Sequence, residues 1–126
     1  MTTARTASTV VWLYNDEAWN NQRFDLAEEL LGEQVVRHGV DEVITLTHDE
    51  AVQRIKDAYT VYATIHFTLL TVVADPDDEH VAIVYQCDMT GHDGSHDQIA
   101  SIEVFRVVHG RIVEVYNNAH QHGSWR

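Results

Sequence analysis

The feature that most constrains this chain is a change of hydrophobic period near residue 63. Before it, Ala51, Ile55, Ala58, Tyr59 and Tyr62 recur at helical spacing on one stripe. Thr47-His48-Asp49-Glu50 opens that stripe as a capping box, with acidic side chains at the positive end of the helix. From Ala63 onward the period falls to two. Strands are predicted near 63–74, 80–89, 97–108 and 111–119, joined by turns at 75–79, 90–96 and 109–110. The first turn carries the only proline, Pro76, among aspartates. The last, His109-Gly110, has two residues and sets the register of its hairpin. Val108 then faces Arg111, Arg106 faces Val113, Val104 faces Val115, and Ile102 faces Asn117. This face is apolar in its middle and is expected to meet the helices. The opposite face, with Glu103, Phe105 and Glu114, mixes charge with bulk and is expected to be partly wet or in contact with another subunit.

The front half reads as helical. Ser8 or Thr9 caps a predicted first helix ending near Asn21, and Asp25 to Leu31 forms a second, with Gly32 as its stop. Gln34–His38 and Val43–Leu46 are short and β-branched, and are expected as strands. Helices followed by a meander give an α+β domain: a cone-shaped, curved, antiparallel or mixed sheet wrapped around about three N-terminal helices, with an interior pocket. One domain over 1–126 is expected, with 1–8 as a flexible N-terminus.

Charge excludes some partners. Twenty acidic residues against eight basic ones leave a net charge of -12 with no basic patch, so nucleic acid is not an expected ligand. The most apolar run, Val61 to Ala74, is interrupted by Thr64, His66, Thr68 and Thr71, too short and polar for a bilayer. No membrane partner is expected. Met1–Thr9 lacks an apolar signal segment and Cys87 is the single cysteine, so the expected location is cytoplasmic.

Four stretches together resemble a known family. Tyr14-Asn15-Asp16-Glu17-Ala18-Trp19-Asn20 is similar to its first-helix run, and Phe24 to Leu31 followed by Val35-Val36-Arg37-His38 to the element after it. Thr90-Gly91-His92-Asp93-Gly94 resembles its Thr-Gly turn, and Phe105 to Asn117 its closing hairpin. On these the chain is identified as a SnoaL-like protein of the nuclear-transport-factor-two-like superfamily, which includes ketosteroid isomerases, scytalone dehydratase and limonene epoxide hydrolase. The resemblance implies a cone with a pocket between sheet and helices, frequent homodimerisation through the sheet, and acid–base chemistry on small hydrophobic molecules without cofactor or metal. In SnoaL-type cyclases an Asp at the end of the closing hairpin is the acid/base. The matching residue here is Asn117, whose amide cannot exchange a proton at neutral pH but can orient a carbonyl or hydroxyl.

The residues themselves suggest a proton carrier elsewhere. With the first turn centred near Asp77, positions summing to 154 face each other, so His66 lies opposite Asp88 and Thr68 opposite Gln86. Facing side chains are about 5 Å apart, close enough for a carboxylate to orient an imidazole as a general base. That catalytic dyad requires the even-numbered side chains of these strands to look into the hollow, leaving Tyr85 and Cys87 outside. Tyr14, Trp19, Tyr59, Tyr62, Ile102 and Asn117 complete the expected substrate-binding set. His92, Asp93, His96 and Asp97 in one turn, with His120 and His122 in the tail, read as turn and tail residues and not as a metal site. Trp125 is expected across a pocket mouth or a dimer seam. The function expected first is a cofactor-free cyclase, isomerase or dehydratase acting on a small hydrophobic carbonyl compound. The alternative is a non-catalytic binding or dimerisation module of the same fold.

Overall fold

The computed structural model describes residues 5–126. Residues 1–4, half of the segment expected to be flexible, lie outside the described residues. The rest of that segment is tied down. Helix α1, Ala7–Leu13, begins at Thr6, whose hydroxyl accepts the Thr9 N–H at 3.2 Å. Both carboxylate oxygens of Asp78 accept the Ala7 N–H, at 3.0 and 3.1 Å, which ties the helix start to the turn after the first long strand. The chain then continues as a π-helical stretch, Tyr14–Trp19.

Helix α2, Phe24–Leu30, runs directly into strand β1, Leu31–Gly39, so Gly32 is not a helix stop. A Cβ at Gly32 would lie 3.1 Å from the carbonyl oxygens of Gln34 and Ile112; glycine is what lets this strand close on its neighbour. Strand β2, Glu42–Thr47, leads into α3, His48–Val61, where both halves of the capping box are formed. The long strands are β3 (Tyr62–Ala74), β4 (His80–Gly91) and β5 (His96–Val108). Strand β6 (Arg111–Asn117) and the short β7 (Gln121–His122) complete the chain. Among the described residues no helix is long and apolar enough to cross a membrane.

The strands form one curved, unclosed mixed sheet in the order β2-β1-β6-β5-β4-β3, with β7 pairing β5 beyond the end of β6. β1 and β6 run parallel; the other pairs are antiparallel. The helices fill the concave side, where Val10, Val11, Leu30 and Ile55 are completely or almost completely buried with Ile83 and Phe105. This is the α+β cone expected from the order of helices and strands.

His66 is opposite Asp88 and Thr68 opposite Gln86, as predicted, but nearer the turn an extra residue at Leu70 shifts the register by one, so that Val72 faces Ile83 and Ala74 faces Val81. The face is the reverse of the one expected. Val81, Ile83, Tyr85, Cys87 and Met89 are buried together with Ile65, whereas His66 and Asp88 are exposed on the outer side. The burial follows bulk: Ile65-x-Phe67-x-Leu69 is wholly apolar, while the even set around it contains Thr64, His66 and Thr68. The closing hairpin is corrected in the same way. Val108 does face Arg111, but a bulge at Val113 moves the register so that Arg106 faces Glu114, Val104 faces Tyr116 and Glu103 faces Asn117. Ser101, Glu103, Phe105 and Val107 point inward, and Ile102 points out with 42% of its surface accessible.

These faces make a stability prediction. Ile83→Ala empties a fully buried site and is expected to cost about 2–5 kcal/mol, whereas Leu70→Ala on the outer face should cost under about 1 kcal/mol. Urea unfolding of the two variants checks it; equal losses would contradict the assignment of faces.

Candidate functional site

Between the helices and the concave side of the sheet lies a cavity of about 180 Å3. The π-helical stretch supplies one wall through Tyr14, Asn15 and Trp19. Such stretches are rare and often mark functional sites. Here Asn15 is held by donation from its amide nitrogen to the Val11 carbonyl at 2.8 Å. Phe67, Tyr85, Cys87 and Met89 of the middle strands give an apolar lining, with Trp19 edge-on to Phe67 at 5.3 Å.

The polar end of the cavity is built across three strands. Glu103 on β5 directly faces Asn117 on β6, and Arg37 on β1 reaches across β6 to bring its Nη2 within 3.6 Å of Glu103 Oε2. Their side chains are only 15% and 9% exposed, so this is a buried ion pair with much of its water removed. Tyr85 stands beside it. Burial, and then the negative charge of Glu103, push the Tyr85 hydroxyl up to about 12, while hydrogen bonding from Asn117 and Ser101 pulls the other way. Tyr85 therefore keeps its proton at neutral pH and is a hydrogen-bond donor. Burial, reinforced by Asp88, likewise pushes the Cys87 thiol up to about 12, which leaves it without nucleophilic thiolate at neutral pH.

A second guanidinium, Arg54 of α3, also lines the cavity. Its side chain is exposed, and its pKa is lowered, by partial loss of water first and by Arg37 second. Both properties belong to a side chain forming the wall of a hollow that solvent can enter.

The cavity brings together Tyr14, Trp19, Tyr62 and Asn117 of the predicted set. Tyr59 braces the wall from behind: its hydroxyl bonds the carbonyl of Trp19 and lies 3.2 Å from that of Ile65. Ile102, His66 and Asp88 are not at the cavity. His66 and Asp88 lie in a shallow outer groove, where Asp88 accepts a hydrogen bond from Gln98 Nε2 at 2.6 Å. His122 of the tail bonds Asp97 at 2.9 Å, and Thr90 lies 3.4 Å from His96. Among the described residues no three acidic, His or Cys side chains converge as metal ligands would. Trp125 donates from its indole nitrogen to the Tyr85 carbonyl at 2.8 Å, so it lies against the sheet and not over the cavity mouth. Arg37, Arg54, Tyr85, Glu103 and His120 are cavity residues that sequence reasoning did not place there. The available signal for Glu103 was its shared parity with Phe105 and Val107.

The raised Tyr85 and Cys87 values carry a consequence for stability. The folded chain holds protons that the unfolded chain releases once pH passes the ordinary thiol and phenol values of 9.0 and 10.0. Their contribution is complete below about pH 9 and is lost as pH climbs toward about 12. Each group can remove up to about 1.4 kcal/mol per pH unit over its interval. Urea midpoints measured across that range are expected to fall less steeply in a Tyr85→Phe, Cys87→Ala double variant. Parallel losses in variant and wild type would contradict the assignment.

Comparison with known proteins agrees with this architecture. Residues 13–115 match the model of the SnoaL-like domain. An LEH-like epoxide hydrolase of M. tuberculosis superposes with a TM-score of 0.76 at 19% identity, covering 93% of this chain and 81% of that one. Wild-type IdmH of Streptomyces antibioticus, described as a proposed polyketide cyclase, gives 0.74 at 17% identity over 90% of this chain and 91% of its own. A proposed polyketide cyclase of Xanthomonas campestris pv. campestris gives 0.76 at 19% identity, covering 89% and 88%. At such identities the likeness is one of fold. No curated protein matches in sequence. With its cone, its inward-facing cavity and a family match over most of its length, the chain belongs to the SnoaL-like family.

Proposed function

We propose that this protein is a cofactor-free acid–base enzyme of cyclase, isomerase or dehydratase type, acting on a small, largely apolar carbonyl compound. The observation that carries the reading is the Glu103 carboxylate, only 9% exposed, held by Arg37 at the polar end of an otherwise apolar cavity. Its position relative to Asn117 supports the same role. In the SnoaL-type cyclases that the chain resembles, an acid/base stands at the position matching Asn117, and Glu103 is the direct cross-strand neighbour of that residue.

The chemistry follows from the arrangement. Glu103 removes a proton from the carbon next to the substrate carbonyl, and negative charge moves onto the carbonyl oxygen. The Tyr85 hydroxyl and the Asn117 amide are the donors that stabilise that oxygen. The proton held by Glu103 then returns to a second carbon in an isomerisation, or leaves with a departing hydroxyl as water in a dehydration. Size limits the substrate: roughly 150 Å3 accepts benzene, so a cavity of about 180 Å3 suits a single ring or a short chain. The outer face, where Leu70 is 51%, Ile102 42% and Tyr116 47% exposed, is the surface we assign to pairing of two copies.

Deuterium exchange at the α-carbon of a panel of one-ring ketones, followed by NMR, tests the reading. Wild-type protein is expected to accelerate exchange, and Glu103→Gln to lower the rate about 10²- to 10⁴-fold with the fold retained. His66→Ala is expected to keep wild-type exchange, since its ring stands on the outer face. Undiminished exchange in Glu103→Gln would remove the proposed base, and no exchange with wild type would leave a binding module.

A further inference from the structure

We infer that Arg54 is a specificity residue and that the compound bound in the cavity carries a carboxylate in addition to its carbonyl group. The inference rests on the acid–base reading above and adds the charge of the substrate to it.

The charges lining the cavity do not balance. Arg37 is matched by Glu103, and no other acidic side chain lines the walls. Arg54 has no ion pair and no side-chain hydrogen bond among the described residues. Four arginines outside the cavity are engaged by the protein itself. Arg5 pairs with Glu29, Arg23 with Asp25 and Arg106 with Glu79, while Arg111 bonds the Leu31 carbonyl at 2.9 Å. In a chain with 20 acidic residues and a net charge of -12, carboxylates are abundant, yet among the described residues none pairs with Arg54.

An arginine at the cavity wall beside a second cation, and without a carboxylate of its own, favours an anion that joins it there. Arg54, although exposed, lines the same cavity as Arg37, Glu103, Tyr14 and Tyr85, and the charge of Arg37 lowers its pKa while that of Glu103 raises it. It therefore stands within electrostatic reach of the whole polar end. A guanidinium offers a planar fork of donors that takes a carboxylate through two hydrogen bonds. A ligand carboxylate on Arg54 is repelled by Glu103, which orients the molecule: anion toward α3, carbonyl toward Tyr85 and Asn117, acidic carbon toward Glu103. The net negative charge of the chain works against any anion arriving from solution, so a local cation is needed to retain one.

Benzoate and benzamide, one-ring compounds of nearly equal size, separate this inference from the reading on which it rests. Titration calorimetry with wild-type protein is expected to show benzoate binding at least about tenfold more tightly than benzamide. Arg54→Gln is expected to abolish that preference, and benzamide binding that persists in the variant reports an intact cavity. Arg54→Lys is expected to retain part of the preference because the charge remains. Equal binding of the two compounds by wild type, or a preference that survives in Arg54→Gln, would overturn the inference while Glu103-dependent proton exchange still stands. Failure of both compounds to bind would overturn it together with the assignment of the cavity as a substrate site.

Discussion

A carboxylate with one-tenth of its side chain exposed, pointing into an apolar cone, sets the main constraint on this structure. Glu103 shares its face of β5 with Phe105 and Val107, and a bare negative charge there would cost several kcal/mol. Arg37 offsets part of that cost, and the sheet has to be ordered so that Arg37 can reach. β1 lies parallel to β6, next to β5, and Arg37 stands opposite Val115 with its head group extended over the intervening strand. The close approach that Gly32 allows, and the direct passage of α2 into β1, hold that strand in place. The order β1-β6-β5 is therefore both the scaffold of the cone and the means of assembling its polar end.

The parts of the fold set by local chemistry were legible in the sequence. The capping box at Thr47 and Glu50 needs only four consecutive residues, and α3 forms where it predicts. The aspartate-rich turn around Pro76 joins β3 to β4 where expected, but its register alone would set His66 opposite Met89; the extra residue at Leu70 brings His66 opposite Asp88. The face on which that pair stands was not legible, because both parities of β4 are apolar: Ala82 and Val84 alternate with Val81, Ile83 and Tyr85. Extra residues at Leu70 and Val113 then switch the parity partway along β3 and β6, and neither residue type announces a bulge.

The site was hidden for a related reason. Ser101 and Glu103 read as solvent-facing because polar groups on alternate positions usually are, and the polar end of a cavity has the same pattern in one dimension. Only the third dimension, with Arg37 arriving from the other end of the chain, distinguishes the two. Tyr14, Trp19, Tyr62 and Asn117, singled out through helical periodicity and family resemblance, line the cavity. Asn15 was missed because it is turned inward beside Tyr14 by a π-helical stretch that a 3.6-residue period does not represent. In the proposed chemistry Glu103 supplies the carboxylate beside Asn117, its direct neighbour across β5 and β6.

The dependence of the site on the Arg37–Glu103 pair is open to direct measurement by a double-mutant cycle in urea. Arg37→Met and Glu103→Leu each break the pair, and Arg37→Met, which strands a buried charge, is expected to cost about 3–5 kcal/mol. The double variant, with no charge left to strand, is expected to recover most of the loss, giving a coupling of more than about 1.5 kcal/mol. Small, additive losses in the two single variants would mean that the charges are not buried together, and the polar end of the cavity would not exist as described.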